Sequence, residues 1–316
     1  MPFYSIEQKI VGLGKETTRG IAVPPSKYIP ATADSFIDYK LNLIEDELVR
    51  GGFEKYPPFA GTKEASGTIN IDVDSSNIGD FLLSLLGNVE TEDVGESGNV
   101  YQHTFTRSNS ITLPSYTIYF DLALITKQYP LSVVKSIAFT GAGDNRLTAS
   151  ISVLSKTEET TTETMSPTWS IPAPFMFYQT QIKVDGNAVS YVKDWNLTID
   201  NGATGLRTLT GTQDITDIVA NAKLSVSGGF TVYFDSLTER DKFLLNNPAN
   251  IEIIMTGAEI ETGYNHQLKI QLPRTHYTAY PFSNVDGLLG AAVTFNAYYG
   301  TTNSITIILI NTTSSY

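Results

Sequence analysis

The chain has no cysteine, three histidines and two tryptophans among its 316 residues. Without thiols there is no disulfide framework, no thiolate metal site and no cysteine nucleophile, while the redox compartment stays open. Positive charge is scarce: 21 Lys and Arg stand against 33 Asp and Glu, a net charge of −12. A chain of that balance lacks the basic patch that phosphate binding requires, so a grip on nucleic acid is excluded. Long apolar runs are missing too. Met1 to Leu13 holds one lysine, Lys9, and no apolar stretch of the kind an export signal needs. Ile305 to Ile310 falls far short of the roughly 20 residues that cross a bilayer as a helix. The expectation is neither an export signal nor a membrane-spanning helix.

What is present points to a globular, β-rich chain. Hydrophobic residues make up 41% and charged ones 17%, with 24 Gly, 17 Tyr and 15 Phe. At about 150 residues per domain the length suggests two domains, or one or two barrels. Apolar and polar residues alternate in Gly67 to Val73, Tyr116 to Phe120 and Leu224 to Phe234, the pattern of half-buried antiparallel strands. Helical spacing is clearest at Ile78, Phe81, Leu82, Leu85 and Leu86, with Gly87 as a stop. A Thr-, Ser- and Glu-rich tract from Ser155 to Ser166, leading to Pro172 and Pro174, reads as an extended linker. The domain boundary is placed there, giving residues 1–163 and 164–316.

Internal matches support two related halves. Asn42-Leu43 with Asp46 recurs as Asn196-Leu197 with Asp200, 154 positions later. Ser66-Gly67, ahead of Asp74-Ser75, recurs 161 positions later as Ser227-Gly228 ahead of Asp235-Ser236. Each is followed by a helix-like segment, carrying Phe81 or Phe243, and Tyr129-Pro130-Leu131-Ser132 returns as Tyr280-Pro281-Phe282-Ser283, 151 positions later. The matches keep their order, as a tandem duplication would. The expected helices are Ser76 to Gly87 and Leu237 to Asn247, with Phe81 and Phe243 buried against their sheets. Long loops are expected at Glu47 to Glu64 and Gly205 to Ala222, longer than ordinary hairpin connections and so read as functional.

No motif for chemistry stands. Gly12-Leu13-Gly14-Lys15 echoes the end of a phosphate loop, but Lys9 stands where the first glycine belongs and Glu16 where a metal-binding hydroxyl belongs. Asp72 to Ser76 opens like a calcium loop, yet Asn77 replaces the turn glycine and Leu83 the closing glutamate; Ser75 or Ser76 reads as a helix cap. His103, His266 and His276 share no ligand spacing. The neighbouring acids Glu45 with Asp46 and Glu158 with Glu159 read as solvated charge. Trp169, Phe175, Phe177 and Tyr178 read as packing against a neighbouring domain or subunit, with a sugar platform as the other reading. No catalytic, cofactor or metal residue is assigned, and the chain is read as a non-enzyme.

The order of several short segments resembles the major tail tube proteins of long-tailed, siphovirus-type bacteriophages. Gly14-Lys15-Glu16-Thr17-Thr18, Gly20 and Val23 to Pro30 are similar to that family's amino-terminal arm. Ser66 to Gly87, Tyr101 to Thr106 with Leu113 to Tyr116, and Leu197 to Gly202 are similar to its later pattern. The resemblance implies a mainly β fold of two tandem β-sandwich or barrel tube domains, each with a short flanking helix. It also implies a structural protein whose rings stack into a hollow tube conducting DNA, in the virion after synthesis in the host cytoplasm. Tape measure, tail terminator and tip proteins are the implied partners. Two domains per chain point to three chains in a pseudo-sixfold ring. A carbohydrate- or surface-binding β-sandwich and the tube protein of a contractile injection or secretion system are the alternatives.

Overall fold

The computed structural model describes residues 3–169, 172–234 and 237–316. An amino-terminal pair, β1 (Ile10–Lys15) and β2 (Lys27–Ile29), precedes β3 (Phe36–Ile44) and β4 (Phe59–Asp72). Helix α1 (Gly79–Leu86) leads to β5 (Gly87–Asp93), β6 (Tyr101–Arg107), β7 (Tyr116–Asp121), β8 (Thr126–Ala142) and β9 (Thr148–Ser155). Then come β10 (Glu159–Thr161), β11 (Thr180–Val184), β12 (Asn187–Val189) and β13 (Val192–Asp200). The small pair β14 (Ala203–Leu206) and β15 (Asp217–Ala220) precedes β16 (Ser225–Tyr233) and helix α2 (Thr238–Leu244). The chain ends with β17 (Ala249–Glu261), β18 (Tyr264–Ala279), β19 (Phe282–Val285), β20 (Leu288–Ala297) and β21 (Thr306–Asn311).

One antiparallel sheet runs through both halves in the order β3-β4-β9-β8-β13-β16-β20-β19. It divides into two four-stranded units of matching order, joined where Leu197 of β13 sits opposite Phe139 of β8. The period-2 alternation sends one residue set inward, so Ile69, Ile151, Ile137, Ile199 and Val226 form a buried row across five strands. The sheet continues past β20, which also pairs with β18, and through it the strands β5-β6-β21-β18-β17-β11-β12 supply the other side of one continuous core. The fold is mainly β, as expected.

Helix α1 is where the spacing predicts it, and Ile78, Phe81, Leu82, Leu85 and Leu86 are all buried. Gly87 closes it in the left-handed conformation, φ 88°. Its entry differs from expectation: neither Ser75 nor Ser76 caps it. One oxygen of the Asp74 carboxylate, Oδ1, instead accepts the Ser76 and Asn77 amides at 2.6 and 2.9 Å, the local side-chain-to-backbone bonding that Asp favours in a tight turn. Helix α2 is shorter than expected and buries no residue. Phe243 packs against the core but is only half-buried, a correction to the expected full burial, on a helix that buries none of its residues.

The linker reading is also corrected. Ser155 closes β9, β10 pairs with β8, and Met165 is buried. The expected loops are shorter and more ordered, since β4 already starts at Phe59 and β14–β15 form a hairpin. Ladder positions refine the repeat. Ile37 sits opposite Gly67 and Leu197 opposite Gly228, so the Ser-Gly match is in register whereas Leu43 is not the counterpart of Leu197. The Asp235-Ser236 part of the match lies outside the described residues.

Candidate assembly interface

The face of the eight-stranded sheet opposite the core is paved with small polar side chains. One row crosses six strands as Asn70, Ser150, Ala138, Thr198, Ser227 and Asn296, and a second crosses five as Thr68, Ser152, Ser136, Asp200 and Ser225. Neither row holds a Lys or Arg. These rows offer hydroxyls and a carboxylate to water but no cation to a phosphate; the exposed Lys40 stands beyond them on the outer strand β3, opposite Glu64. Sequence reading located these strands without recognising this face; its signal is Ser, Thr or Asn at every second position between buried aliphatics.

Among the described residues, β3 and β19, the outer strands of this sheet, each have a ladder on one side only. In the free chain the β3 edge is guarded: Lys9 Nζ donates to Ser35 O at 2.8 Å and the Tyr129 hydroxyl to Ile37 O at 3.0 Å. The same Tyr129 hydroxyl donates to Glu158, and burial together with that carboxylate pushes its pKa up. Apolar side chains stay exposed at two places. One is the β3–β4 connection, with Leu43, Val49, Phe53 and Phe59. The other is the face of α2, β19 and β20, with Leu244, Leu245, Phe282 and Leu289. Concentrated apolar exposure of this kind marks interaction surfaces.

The amino-terminal segment is docked on its own chain. Residues 10–15 form a strand between β2 and β7, so the Gly-Leu-Gly-Lys segment is sheet and no phosphate loop. Glu16 accepts the Gly20 and Leu131 amides and the Ser115 and Thr117 hydroxyls. Arg19 ion-pairs with Asp217 at 2.8 Å and donates to Leu113 O and Ile218 O, clamping the β14–β15 hairpin to the first half.

The three histidines lie apart in structural roles. His103 is buried against Thr91, Asn311 and the Thr313 carbonyl, His266 meets Ser75 at 2.8 Å, and His276 meets Asn246 at 3.0 Å. Burial holds the pKa values of His103 and His266 below the usual imidazole range. Among the described residues no three His, Asp or Glu side chains gather to hold a metal. The four candidate platform aromatics do not form one face: Phe175 is in the core and Trp169 meets Tyr28 edge-on at 6.4 Å, while half-buried Phe177 and exposed Tyr178 line a cleft with Trp195. No helix is long and apolar enough to cross a membrane among the described residues.

The model of a family described as phage tail tube protein matches residues 7–305. The chain belongs to that family. It is therefore a structural tail tube protein, a virion component that self-assembles into a tube. No curated protein matches the chain. Family membership gives the polar sheet face, the outer strands and the exposed apolar patches a common context, because a tube needs a lining and contacts between subunits.

Proposed function

We propose that three chains close into a ring with pseudo-sixfold symmetry, and that stacked rings form the tail tube that conducts DNA, lined by the polar sheet face. The observation that carries this is the pair of four-stranded units in matching order within one sheet. If the β8–β13 joint is repeated between chains, β19 of one meets β3 of the next, and the Lys9 and Tyr129 contacts give way to strand pairing. Three chains then supply a cylinder of 24 strands, three times the eight in each sheet.

Magnitudes favour three over two. Strands about 4.8 Å apart give 24 of them a circumference of about 115 Å and a backbone-to-backbone diameter of about 37 Å, more if tilted. Two chains would give a barrel of about 16 strands, the porin size that passes small solutes. The wider cylinder leaves room for a DNA duplex with hydrated side chains around it. The repeated unit supports the reading of an internal duplication with the boundary near residues 163 and 164. Tape measure protein in the lumen, with terminator and tip proteins at the ends, completes this reading, as does assembly in the host cytoplasm.

A lining that lets DNA slide must not hold it, and the net charge of −12 and the cation-free rows serve that. The test is Ser150→Lys with Thr198→Lys, one in each half. The expected result is tubes of normal length from which DNA is ejected more slowly, most markedly at low salt. Unchanged ejection kinetics from such tubes would place these rows away from the DNA.

A further inference from the structure

We propose that the exposed hairpin formed by residues 43–60 of one copy docks on the α2, β19 and β20 face of the next copy. It would thereby repeat between chains the joint that residues 203–220 make with the first half inside each chain. The proposal rests on the ring reading above and names the surfaces that close the ring.

The two hairpins are counterparts by ladder position. Leu43 pairs with Ala60 and Ile44 with Phe59; 160 positions later Ala203 pairs with Ala220 and Thr204 with Val219. Their connections have the same length, and each turns at a left-handed glycine, Gly51 at φ 76° and Gly211 at φ 75°. Their surroundings differ. The later hairpin is seated: Ala203, Ile215, Ile218 and Ala220 form a buried cluster with Leu113, Leu131, Val133 and Leu154 of the first half. At its root Asn201 Nδ2 donates to the carbonyls of Leu85 in α1 and Val134 in β8, at 3.0 and 2.9 Å. The earlier hairpin has no such seat. It keeps its own shape through Arg50–Asp46 and Lys55–Glu45 ion pairs while Leu43, Val49, Phe53 and Phe59 face solvent.

The corresponding seat on the second half is also empty in the free chain. Helix α2 follows β16 as α1 follows β4, yet α1 is buried whereas Leu244 at the end of α2 and Leu245 just after it are exposed. Beside them Phe282 is exposed under the Arg240 guanidinium, 5.1 Å from its ring. Carrying the in-chain contact over by position sets the Leu41 side chain where that of Asn201 stands and the Leu245 backbone carbonyl where that of Leu85 stands. Two leucines exposed in the free chain, Leu41 and Leu245, are thereby brought near each other, and assembly would remove apolar surface there from water. A second copy of this chain is thus the occupant that carries the matching element.

The absence of cysteine permits a clean test. The full-length variant Leu41→Cys with Leu245→Cys, treated with a short bis-maleimide during assembly, is expected to give covalent dimers and trimers on a denaturing gel. Rings of wild-type mass in which both cysteines react with a monofunctional maleimide but no chains are joined would overturn the docking while leaving the ring intact. A wild-type chain that stays monomeric under all assembly conditions would sink the ring reading as well. Leu245→Asp gives a second readout that does not depend on cross-linking. Its side chain is exposed in the free chain, so melting is expected to match wild type while rings are lost. Normal rings from Leu245→Asp would contradict the proposal.

Discussion

Phe81 and Phe243 occupy comparable helices but opposite environments, and truncating each to alanine should separate packing within the chain from packing between chains. Phe81 is 2% exposed, in a helix whose Leu82, Leu85 and Leu86 are fully buried around it. Removing such a ring leaves a cavity that neighbours close only in part, which costs about 3–5 kcal/mol. At roughly 2–4 °C per kcal/mol for a domain of this general size, the melting midpoint should fall by roughly 6–20 °C. Phe243 is half-buried on a helix with no buried residue, so its truncation in the free chain should cost only about 1–2 kcal/mol. Thermal unfolding of the unassembled chain, followed by circular dichroism, measures both. The account also expects Phe243→Ala to weaken assembled rings more than it weakens the free chain, because α2 gains the rest of its cover only there. Equal midpoint shifts for the two variants in the free chain would refute this contrast.

Arg19→Ala should release the β14–β15 hairpin, raising its amide exchange on the order of tenfold or more for a loss of about 1.5–3 kcal/mol, while exchange in β16 stays slow. Asn201→Ala removes donors to Leu85 O and Val134 O and an acceptor for the Ala203 amide, so urea unfolding should show about 2–4 kcal/mol less stability. Acid should destabilise the chain from about pH 6.5 downward, because an unfolded imidazole takes up a proton there while buried His103 and His266, their pKa values lowered, refuse it. The stability those neutral rings keep at pH 7 is lost as the pH falls through their folded pKa values. Replacing both with Gln should flatten the stability profile between pH 7 and 5, as read from urea midpoints.

The sequence made local periodicity legible and long-range partners illegible. Strands such as Gly67 to Val73 and the spacing from Ile78 to Leu86 report a buried face directly, and Gly87 reports the helix end through its need for a positive φ. The apolar character of Phe243 says that it wants cover without saying how much of that cover lies in the same chain, and the core covers only part of it. Asn201 and Arg19 carried no signal of their anchoring contacts to the first half, since Val134, Leu85 and Leu113 stand 67 or more positions away in sequence. The Asn42-Leu43 match came from short strings that resemble each other, whereas the ladders align the halves six residues differently at that place. Polar positions between aliphatics were visible as alternation, but their joining into continuous rows depends on registers that only the folded sheet fixes.

The composition of the closed ring tests the central claim most directly. Native mass spectrometry of the smallest stable ring, or the symmetry of assembled tubes by cryo-microscopy, should give three chains per ring, with the two halves alternating at six nearly equivalent positions around a 24-stranded lining. A ring of six chains, or one in which the β3-β4-β9-β8 and β13-β16-β20-β19 units do not both face the channel, would contradict it.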